Sequence, residues 1–229
     1  GVRCCRFSPD GASAASGSSD GTLRLWRPAA PEGEGQVWSA RHGCCVYWCD
    51  FFPQGARLLS AGADGALCLW CAADGSMERR VEGHGRDVWC CSISSDGLRV
   101  LSVSADDTLR LWRPEDGWST AEITKAGSGM QACTFSPDGK RFLAACADGT
   151  LQVWQTDDSA SDGCRAERVL RGHRDAVFSC GFSPCGEWIV SGSDDRTLRL
   201  WRLAPGASPD LRAPDEPHGS GAAPAFDLD

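Results

Sequence analysis

The sequence predicts an all-β fold, a β-propeller of five repeats that each form a four-stranded antiparallel blade. Three observations predict it: an eight-residue phrase that recurs five times, a nearly constant period, and two-residue alternation of apolar residues between turn signals. The phrase ends at tryptophans spaced 44, 42, 42 and 47 residues apart, namely Trp26, Trp70, Trp112, Trp154 and Trp201. A fixed period of this length is typical of a repeat architecture.

Each period contains the turns and strands of one blade. A turn of the "SPDG" type recurs at residues 8–11, 94–97, 136–139 and 183–186, and its Pro, Asp and Gly residues favour tight turns. The "DG" or "DD" that opens the recurring phrase predicts a second turn of the hairpin kind. Between these turns lie short alternating segments such as "CCRF", "SAASG", "TLRLW" and "QVWSA". Four strands per period follow, with no helical pattern between them.

A single four-stranded sheet of this size cannot bury both of its faces, whereas sheets packed radially against one another can. Two stretches carry a resemblance to a known family: "EGHGRDVWCCSISSDG" followed by "VLSVSADDTLRLW", and "RGHRDAVFSCGFSPCG" followed by "IVSGSDDRTLRLW". They resemble the repeats of the WD40 family, over about residues 1–203. The residue after each phrase tryptophan is Arg, Cys, Arg, Gln or Arg, which departs from the Asp of the family's name.

This resemblance divides the chain into five repeats at about residues 1–42, 43–84, 85–126, 127–173 and 174–203. Residues 204–229 are rich in Pro, Gly and Ala and are predicted to be a linker or a disordered tail. A degenerate sixth repeat that begins near His218 is the alternative for this tail. The resemblance implies part of a larger ring of about seven blades; closure as a five-bladed ring is the alternative.

The charge of the chain limits its partners. The net charge is −8 and the pI is near 5.0, which argues against nucleic acid, because phosphate binding needs a basic face. No apolar run approaches the ~18 residues of a membrane span. The sequence also lacks a phosphate-binding GxxxxGK[ST] loop, an HExxH motif and a kinase signature. We therefore expect no cofactor and no catalytic centre in this stretch.

Fourteen cysteines suggest a disulfide framework or a metal site until the repeats are aligned. One strand then carries a cysteine in every repeat, at Cys5, Cys49, Cys91, Cys133 and Cys180. Such cysteines are expected to be small buried hydrophobic residues. The pair Cys68 and Cys71 is a lone CxxC on a predicted strand, so we expect no zinc there. Unpaired thiols favour a reducing compartment, and we expect an intracellular protein, cytoplasmic or nuclear.

The family resemblance implies a structural hydrogen-bond network in each blade, made by His, Ser, Asp and the phrase Trp. Three repeats carry the full set: His42, Ser60, Asp64 and Trp70; His84, Ser102, Asp106 and Trp112; and His173, Ser191, Asp195 and Trp201. The donor and acceptor capacities of these groups allow a chain from Trp through Ser and His to Asp. A Ser–His–Asp catalytic triad is the alternative, but a catalytic site is normally built once rather than in three repeats.

The fourth repeat breaks this pattern. Ala126 stands at the His position and Ala144 at the Ser position, so only Asp148 and Trp154 remain. We expect this blade to be the least rigid.

Function is expected where the repeats differ. In the family resembled, partners often dock on the rim where the loops between blades converge. The variable rim positions flank the valine of "GHxxxV" and precede the network Asp, and they supply seven candidate partner-binding residues: Arg3, Tyr47, Asp87, Trp89, Gln131, Phe178 and Asp194. The aromatic residues among them are typical of interaction hot spots, and the acidic ones favour a basic ligand. Packing of the aromatic residues against neighbouring loops is the alternative.

The resemblance therefore implies a non-catalytic scaffold or adaptor that presents its rim to a protein or peptide. The alternative is a regulatory or sensing propeller attached to a kinase, NTPase or ubiquitin-ligase type of catalytic domain outside this stretch. The oligomeric state is not determined by the sequence.

Overall fold

The computed structural model describes residues 1–27, 35–125, 129–157 and 164–203, and the side chains of residues 122–125 are not described. These residues form five antiparallel sheets in chain order, which we call blades 1 to 5. The only helix in this part of the chain is a single 3-10 turn, Pro114–Asp116. None of the described helical structure is long and apolar enough to cross a membrane.

The strands of each blade are consecutive in sequence and pair with their neighbours. Blade 1 contains β1 (Val2–Phe7), β2 (Ala14–Ser18), β3 (Thr22–Trp26) and β4 (Gln36–Arg41). Blade 2 contains β5 (Val46–Phe51), β6 (Arg57–Gly62), β7 (Leu67–Cys71) and β8 (Met77–Val81). Blade 3 contains β9 (Val88–Ile93), β10 (Val100–Ser104), β11 (Thr108–Arg113) and β12 (Ser119–Lys125).

Blade 4 contains β13 (Met130–Phe135), β14 (Arg141–Cys146), β15 (Leu151–Thr156) and β16 (Cys164–Leu170). Blade 5 shows three strands up to residue 203: β17 (Val177–Phe182), β18 (Trp188–Ser193) and β19 (Leu198–Arg202). The predicted tail and the alternative repeat at His218 lie outside the described residues. The first strand of each blade packs against the first strand of the next, from β1 through β17, which gives the radial order of a propeller.

The core lies between blades. On the second strand, one position of blades 1 to 4 is Ala15, Leu59, Leu101 or Leu143, each 0% exposed. The next blade covers this position with its first strand, since these strands are in contact at each junction. Full burial of a leucine side chain contributes roughly 1.5 to 3 kcal/mol, so the blade junctions hold the arc together.

The ring is not closed, and the two end faces of the arc differ. On blade 5, the face that the next blade covers elsewhere exposes Val190, Leu198 and Leu200 by 46%, 53% and 59%. On blade 1, the face that packs on the preceding blade elsewhere exposes Val2 by 69% and Phe7 by 71%. Each end therefore presents an apolar face whose equivalents inside the arc are buried.

The exposure of the cysteines reflects this difference between the ends and the interior of the arc. Cys49, Cys91 and Cys133 are buried, as the alternation predicts, and Cys180 is only partly buried, but the prediction was wrong for Cys5, which is exposed. The reason is its position on the uncovered face of blade 1, where no blade packs on it. All fourteen cysteines lie within the described residues, and none forms a disulfide.

A β-bulge interrupts the first strand of every blade. The ladder skips one residue between the opening apolar residue and the rest of the strand in all five cases. The skipped residues are Arg3, Tyr47, Trp89, Gln131 and Phe178. Because a bulge leaves its extra residue unpaired and re-aims its side chain, the fold itself directs these five side chains away from the ladder.

Candidate functional site

Two sets of residues are candidates for function: the network inside the blades and the variable residues on the rim. In blade 3 the network is continuous. The Trp112 indole N–H donates to Ser102 Oγ over 2.8 Å, and Ser102 Oγ lies 2.7 Å from His84 Nε2. His84 Nδ1 lies 3.1 Å from Asp106 Oδ2. Each polar group of this buried chain therefore has a partner.

Threonine completes the network. Thr108 Oγ1 donates to Asp106 Oδ1 over 2.6 Å and lies 3.0 Å from His84 Nδ1. Burial by itself would raise the pKa of Asp106, but hydrogen bonds from Thr108 and the Gly85 N–H, with the His84 charge, lower it below its ordinary value. Asp106 is therefore a carboxylate at neutral pH, which fixes it as the acceptor of the network.

Blade 5 repeats this geometry. Trp201 Nε1 donates to Ser191 Oγ over 2.8 Å, Ser191 Oγ lies 2.7 Å from His173 Nε2, and His173 Nδ1 lies 2.8 Å from Asp195 Oδ2. Thr197 Oγ1 donates to Asp195 Oδ1 over 2.6 Å. Blades 3 and 5 thus share one orientation of the imidazole.

In blade 2 the imidazole is turned over. His42 Nδ1 lies 2.7 Å from Ser60 Oγ, and Nε2 lies 3.3 Å from Asp64 Oδ1. Trp70 Nε1 still donates to Ser60 Oγ over 2.8 Å. Burial lowers the pKa of His42, and the charge of Asp64 only partly offsets this effect. The His–Asp contact is longer here than in blade 3 or blade 5.

The network serines are not placed for nucleophilic catalysis. Ser60 and Ser102 are 0% exposed and Ser191 is 1% exposed. A nucleophile must meet its substrate, and a hydroxyl enclosed in this way meets only the indole and the imidazole. The role of this arrangement is therefore structural: it holds the strands of a blade in place.

Blade 4 retains part of the network. Ala144 replaces the serine and is fully buried, and Ala126 lies outside the described residues. Thr150 Oγ1 still donates to Asp148 Oδ1 over 2.6 Å. The Trp154 ring stacks on Phe142, with ring centroids 6.1 Å apart and planes at 2°.

We expect the amides of residues 150–154 to exchange with solvent faster than those of residues 108–112. Blade 4 holds its tryptophan by ring stacking, whereas blade 3 also holds its own by a hydrogen bond from the indole to Ser102. Native-state hydrogen exchange resolved to single strands measures this difference. Equal protection of the two strands would contradict the prediction.

In each blade, a backbone hydrogen bond joins two of the variable rim positions. The N–H of the residue before the network Asp donates to the carbonyl of the residue before the opening apolar residue, and this bond recurs in all five blades. In blade 3, for example, the Ala105 N–H donates to the Asp87 carbonyl over 2.8 Å. The three variable positions of a blade therefore lie together beside its bulge.

Four of the seven predicted partner-binding residues form one group. The Tyr47 and Trp89 rings lie 4.7 Å apart at an angle of 53°, and the Tyr47 hydroxyl donates to Asp87 Oδ2 over 3.1 Å. Burial and the adjacent Asp87 raise the pKa of Tyr47 to about 12, and the positive charge of Arg3 opposes this rise. Tyr47, Asp87 and Trp89 are half-buried, so the pair combines packing with an accessible surface.

The other three predicted residues lie farther along the arc. Phe178 is 50% exposed and lines a shallow depression on blade 5 together with Asp194, Arg196 and Leu198. Gln131, on blade 4, is half-buried. The variability between repeats identified these positions in the sequence, but it did not reveal the bulge at which Gln131 and Phe178 lie.

Comparison with known families matches the model described as "WD domain, G-beta repeat". The matched residues are 1–27, 36–71, 75–113, 120–155 and 164–202, which together cover well over half of the chain. A stretch of 26 residues is 81% identical to a protein of Dictyostelium discoideum named serine-threonine kinase receptor-associated protein. That stretch covers 11% of this chain and 9% of the relative's length, so the likeness extends over less than one repeat.

Proposed function

The chain belongs to the WD domain, G-beta repeat family, and from this premise we propose that it is a non-catalytic scaffold that binds a protein or peptide on its rim. The observation that carries the proposal is the bulge at the start of every blade. It presents one side chain per blade that the sheet does not need for pairing.

The Tyr47–Trp89 pair is the centre of the proposed surface. Its rings support one another at 4.7 Å, so little side-chain entropy is lost when a partner covers them. Half-buried aromatic residues that are already ordered are typical of residues that dominate binding energy.

The partner that fits this pair carries a basic side chain. Asp87 lies within hydrogen-bonding distance of Tyr47, and its second carboxylate oxygen is available for an incoming donor. A Lys or Arg placed over the Trp89 ring would gain a cation–π contact and a charge-assisted bond to Asp87. Phe178 and Asp194 repeat this combination of an aromatic and an acidic residue on blade 5.

The name of the Dictyostelium relative supports an adaptor role, since it describes association with a receptor. The fourteen unpaired thiols support a reducing, intracellular location for this chain.

Selection of a random displayed-peptide library on the full chain tests the proposal, followed by fluorescence anisotropy with the enriched peptides. We expect enriched peptides to carry Lys or Arg. Affinity for them is expected to fall by more than about tenfold in the triple variant Tyr47→Ala, Trp89→Ala, Phe178→Ala, since hot-spot truncation costs about 2 kcal/mol or more.

The control variant removes three exposed apolar side chains from outer strands: Val37→Ala, Met77→Ala and Val169→Ala. It is expected to keep wild-type affinity. Unchanged affinity in the rim variant, with the fold intact by circular dichroism, would overturn the proposed site. Enriched peptides without basic residues would overturn the stated chemistry of the partner.

A further inference from the structure

Blade 2 differs from blades 3 and 5 at four positions around its histidine. Blade 2 carries Cys44, Gly62, Ala66 and Cys68. At the same positions blade 3 carries Arg86, Ser104, Thr108 and Arg110, and blade 5 carries Asp175, Ser193, Thr197 and Arg199. Two of the four changes introduce thiols, and the other two remove side-chain atoms. The side chains around His42 are therefore smaller than in blades 3 and 5, and two of them carry sulfur.

The thiols lie on the Asp64 side of the imidazole. The ligating atoms of His42, Cys44 and Asp64 all lie within 4.8 Å of one another. Cys68 Sγ lies 3.9 Å from His42 Nε2, the same nitrogen that faces Asp64 Oδ1 at 3.3 Å. The imidazole nitrogen, a carboxylate oxygen and the Cys44 sulfur therefore surround one small region, and the Cys68 sulfur lies beside the nitrogen.

Gly62 leaves the space that this cluster occupies. A Cβ at Gly62 would collide with His42 Nε2 and would come within 2.7 Å of Cys44 Sγ. In blade 3 the equivalent Ser104 fills this space, and its hydroxyl donates to the Arg86 carbonyl over 3.1 Å. The absence of a side chain at residue 62 is therefore a geometric requirement of the cluster.

Ala66 removes a competitor for the histidine. In blade 3, Thr108 Oγ1 approaches His84 Nδ1 to 3.0 Å and holds the imidazole to its aspartate. Ala66 has no such group, and the His42 ring is turned so that Nδ1 meets Ser60 Oγ. This orientation leaves Nε2 directed toward the two thiols.

We propose that His42 Nε2, Cys44 Sγ and Asp64 Oδ1 bind one divalent metal ion of the zinc class, and that Cys68 Sγ closes on the ion as the fourth ligand. Zinc prefers four ligands of these types in a tetrahedron, with bonds of about 2.0 to 2.3 Å, so that ligand atoms lie about 3.3 to 3.8 Å apart. The 3.3 Å separation between His42 Nε2 and Asp64 Oδ1 lies within this range, and the 3.9 Å separation between His42 Nε2 and Cys68 Sγ lies just above it, so Cys68 closes by a small movement when the ion binds. Cys44 is partly exposed, so an ion reaches the site from solvent.

The second shell fits the same ion. His42 Nδ1 lies 2.7 Å from Ser60 Oγ, and in the tautomer that leaves Nε2 free to ligate, its Nδ1–H donates to that oxygen and fixes the ring. Arg80 Nη2 binds the other oxygen of Asp64, Oδ2, at 2.8 Å and leaves Oδ1 to the metal. Arg80 Nη1 also lies 3.9 Å from Cys68 Sγ. Arg80 therefore supports two ligands without occupying the metal position.

The charges and protons balance. Binding breaks the S–H bonds of Cys44 and Cys68, forms two sulfur–metal bonds and releases two protons to solvent. Two thiolates, the Asp64 carboxylate and the divalent ion sum to one negative charge, which the adjacent Arg80 guanidinium neutralises. The zinc site that the sequence argued against was the pair Cys68 and Cys71, whereas the structure groups His42 with Cys44 and Asp64 and places Cys68 Sγ beside His42 Nε2.

Titration of the reduced, metal-free full chain with Co²⁺ tests this site, because tetrahedral Co²⁺ bound to thiolates absorbs in the visible and gives a sulfur-to-metal band in the near ultraviolet. We expect one Co²⁺ per chain with the sulfur band, and loss of both bands when Zn²⁺ is added. The variant Cys44→Ser, Cys68→Ser is expected to lose the sulfur band and to bind more than about 100-fold more weakly, since even a supporting second-shell group contributes 10- to 100-fold.

Two further variants separate ligation from folding. Ala66→Thr with Cys68→Arg installs residues that blade 3 carries, and it is expected to fold and to lose the sulfur band. Cys45→Ser with Cys71→Ser removes the neighbouring thiols and is expected to bind as wild type does. Absence of a sulfur band in the wild-type chain, or its persistence in the Cys44→Ser, Cys68→Ser variant, would overturn the proposal.

Discussion

Replacing Ser102 by Ala is expected to destabilise the chain by about 2 to 4 kcal/mol, because each buried polar group left without a partner costs about 1 to 3 kcal/mol. The hydroxyl of Ser102 accepts from the Trp112 indole and contacts His84 Nε2. Its removal leaves the Trp112 indole N–H enclosed without this acceptor and removes the contact to His84 Nε2. The shift of the urea midpoint, followed by circular dichroism, measures the loss.

The control for this substitution is Ser16→Ala in blade 1. Among the described residues, the Ser16 side chain accepts a hydrogen bond from Trp26 Nε1 over 2.8 Å, and both residues are half-buried. Water can replace a lost partner there, so we expect a cost of about 1 kcal/mol or less. Similar losses for Ser16→Ala and Ser102→Ala would contradict the idea that the histidine network adds stability.

Replacing Leu111 by Ala is expected to cost about 2 to 5 kcal/mol, the range observed for truncation of fully buried leucines. Leu111 lies on the third strand of blade 3 and is 0% exposed. Its truncation would leave a cavity at the junction with blade 4. Urea unfolding under the same conditions measures the effect.

The equivalent residue of blade 5 provides the control. Leu200 occupies the same place on its strand but is 59% exposed, so Leu200→Ala is expected to cost about 0.5 kcal/mol or less. A loss comparable with that of Leu111→Ala would mean that the end face of blade 5 is covered in solution. Sedimentation of the two variants would then show whether a second copy covers it.

The blades were predictable because their signals are local. The Trp spacing, the turn residues and the alternation all lie within one period of about 45 residues. In four of the blades these three signals predict the same strands. The exposure of Cys5 was not predictable in this way, because it depends on whether another blade covers that face. Repeat alignment assigns equivalent positions, but it does not say which equivalents lie at the ends of the arc.

The bulge was not predictable from the alternation of apolar residues. Val46 and Cys49 are three residues apart, yet both are fully buried. On a regular strand an odd separation directs side chains to opposite faces, and because both faces of an inner blade are buried, this pattern also fits a strand without a bulge. The same spacing separates Val88 from Cys91, and Met130 from Cys133.

The cluster in blade 2 was not visible in the sequence for a different reason. Cys44 and Cys68 lie on separate segments, and pairing of β6 with β7 brings Cys68 opposite Ser60. A search for closely spaced cysteines therefore selects Cys68 with Cys71, although the side chains of two residues three apart on a strand point to opposite faces. Only the ladder brings Cys68 and His42 to the same side of one blade.

The bulge also separates the residues that fix the shape of a blade from the residues that are free to bind a ligand. Residues that pair or pack fix the shape of a blade, and the neighbouring strands and blades restrict which side chains fit there. The bulged residue has no partner in the ladder, and the five that occupy it are Arg, Tyr, Trp, Gln and Phe. Such a chain can acquire a new ligand by changing a handful of single residues, while the architecture that displays them is inherited intact.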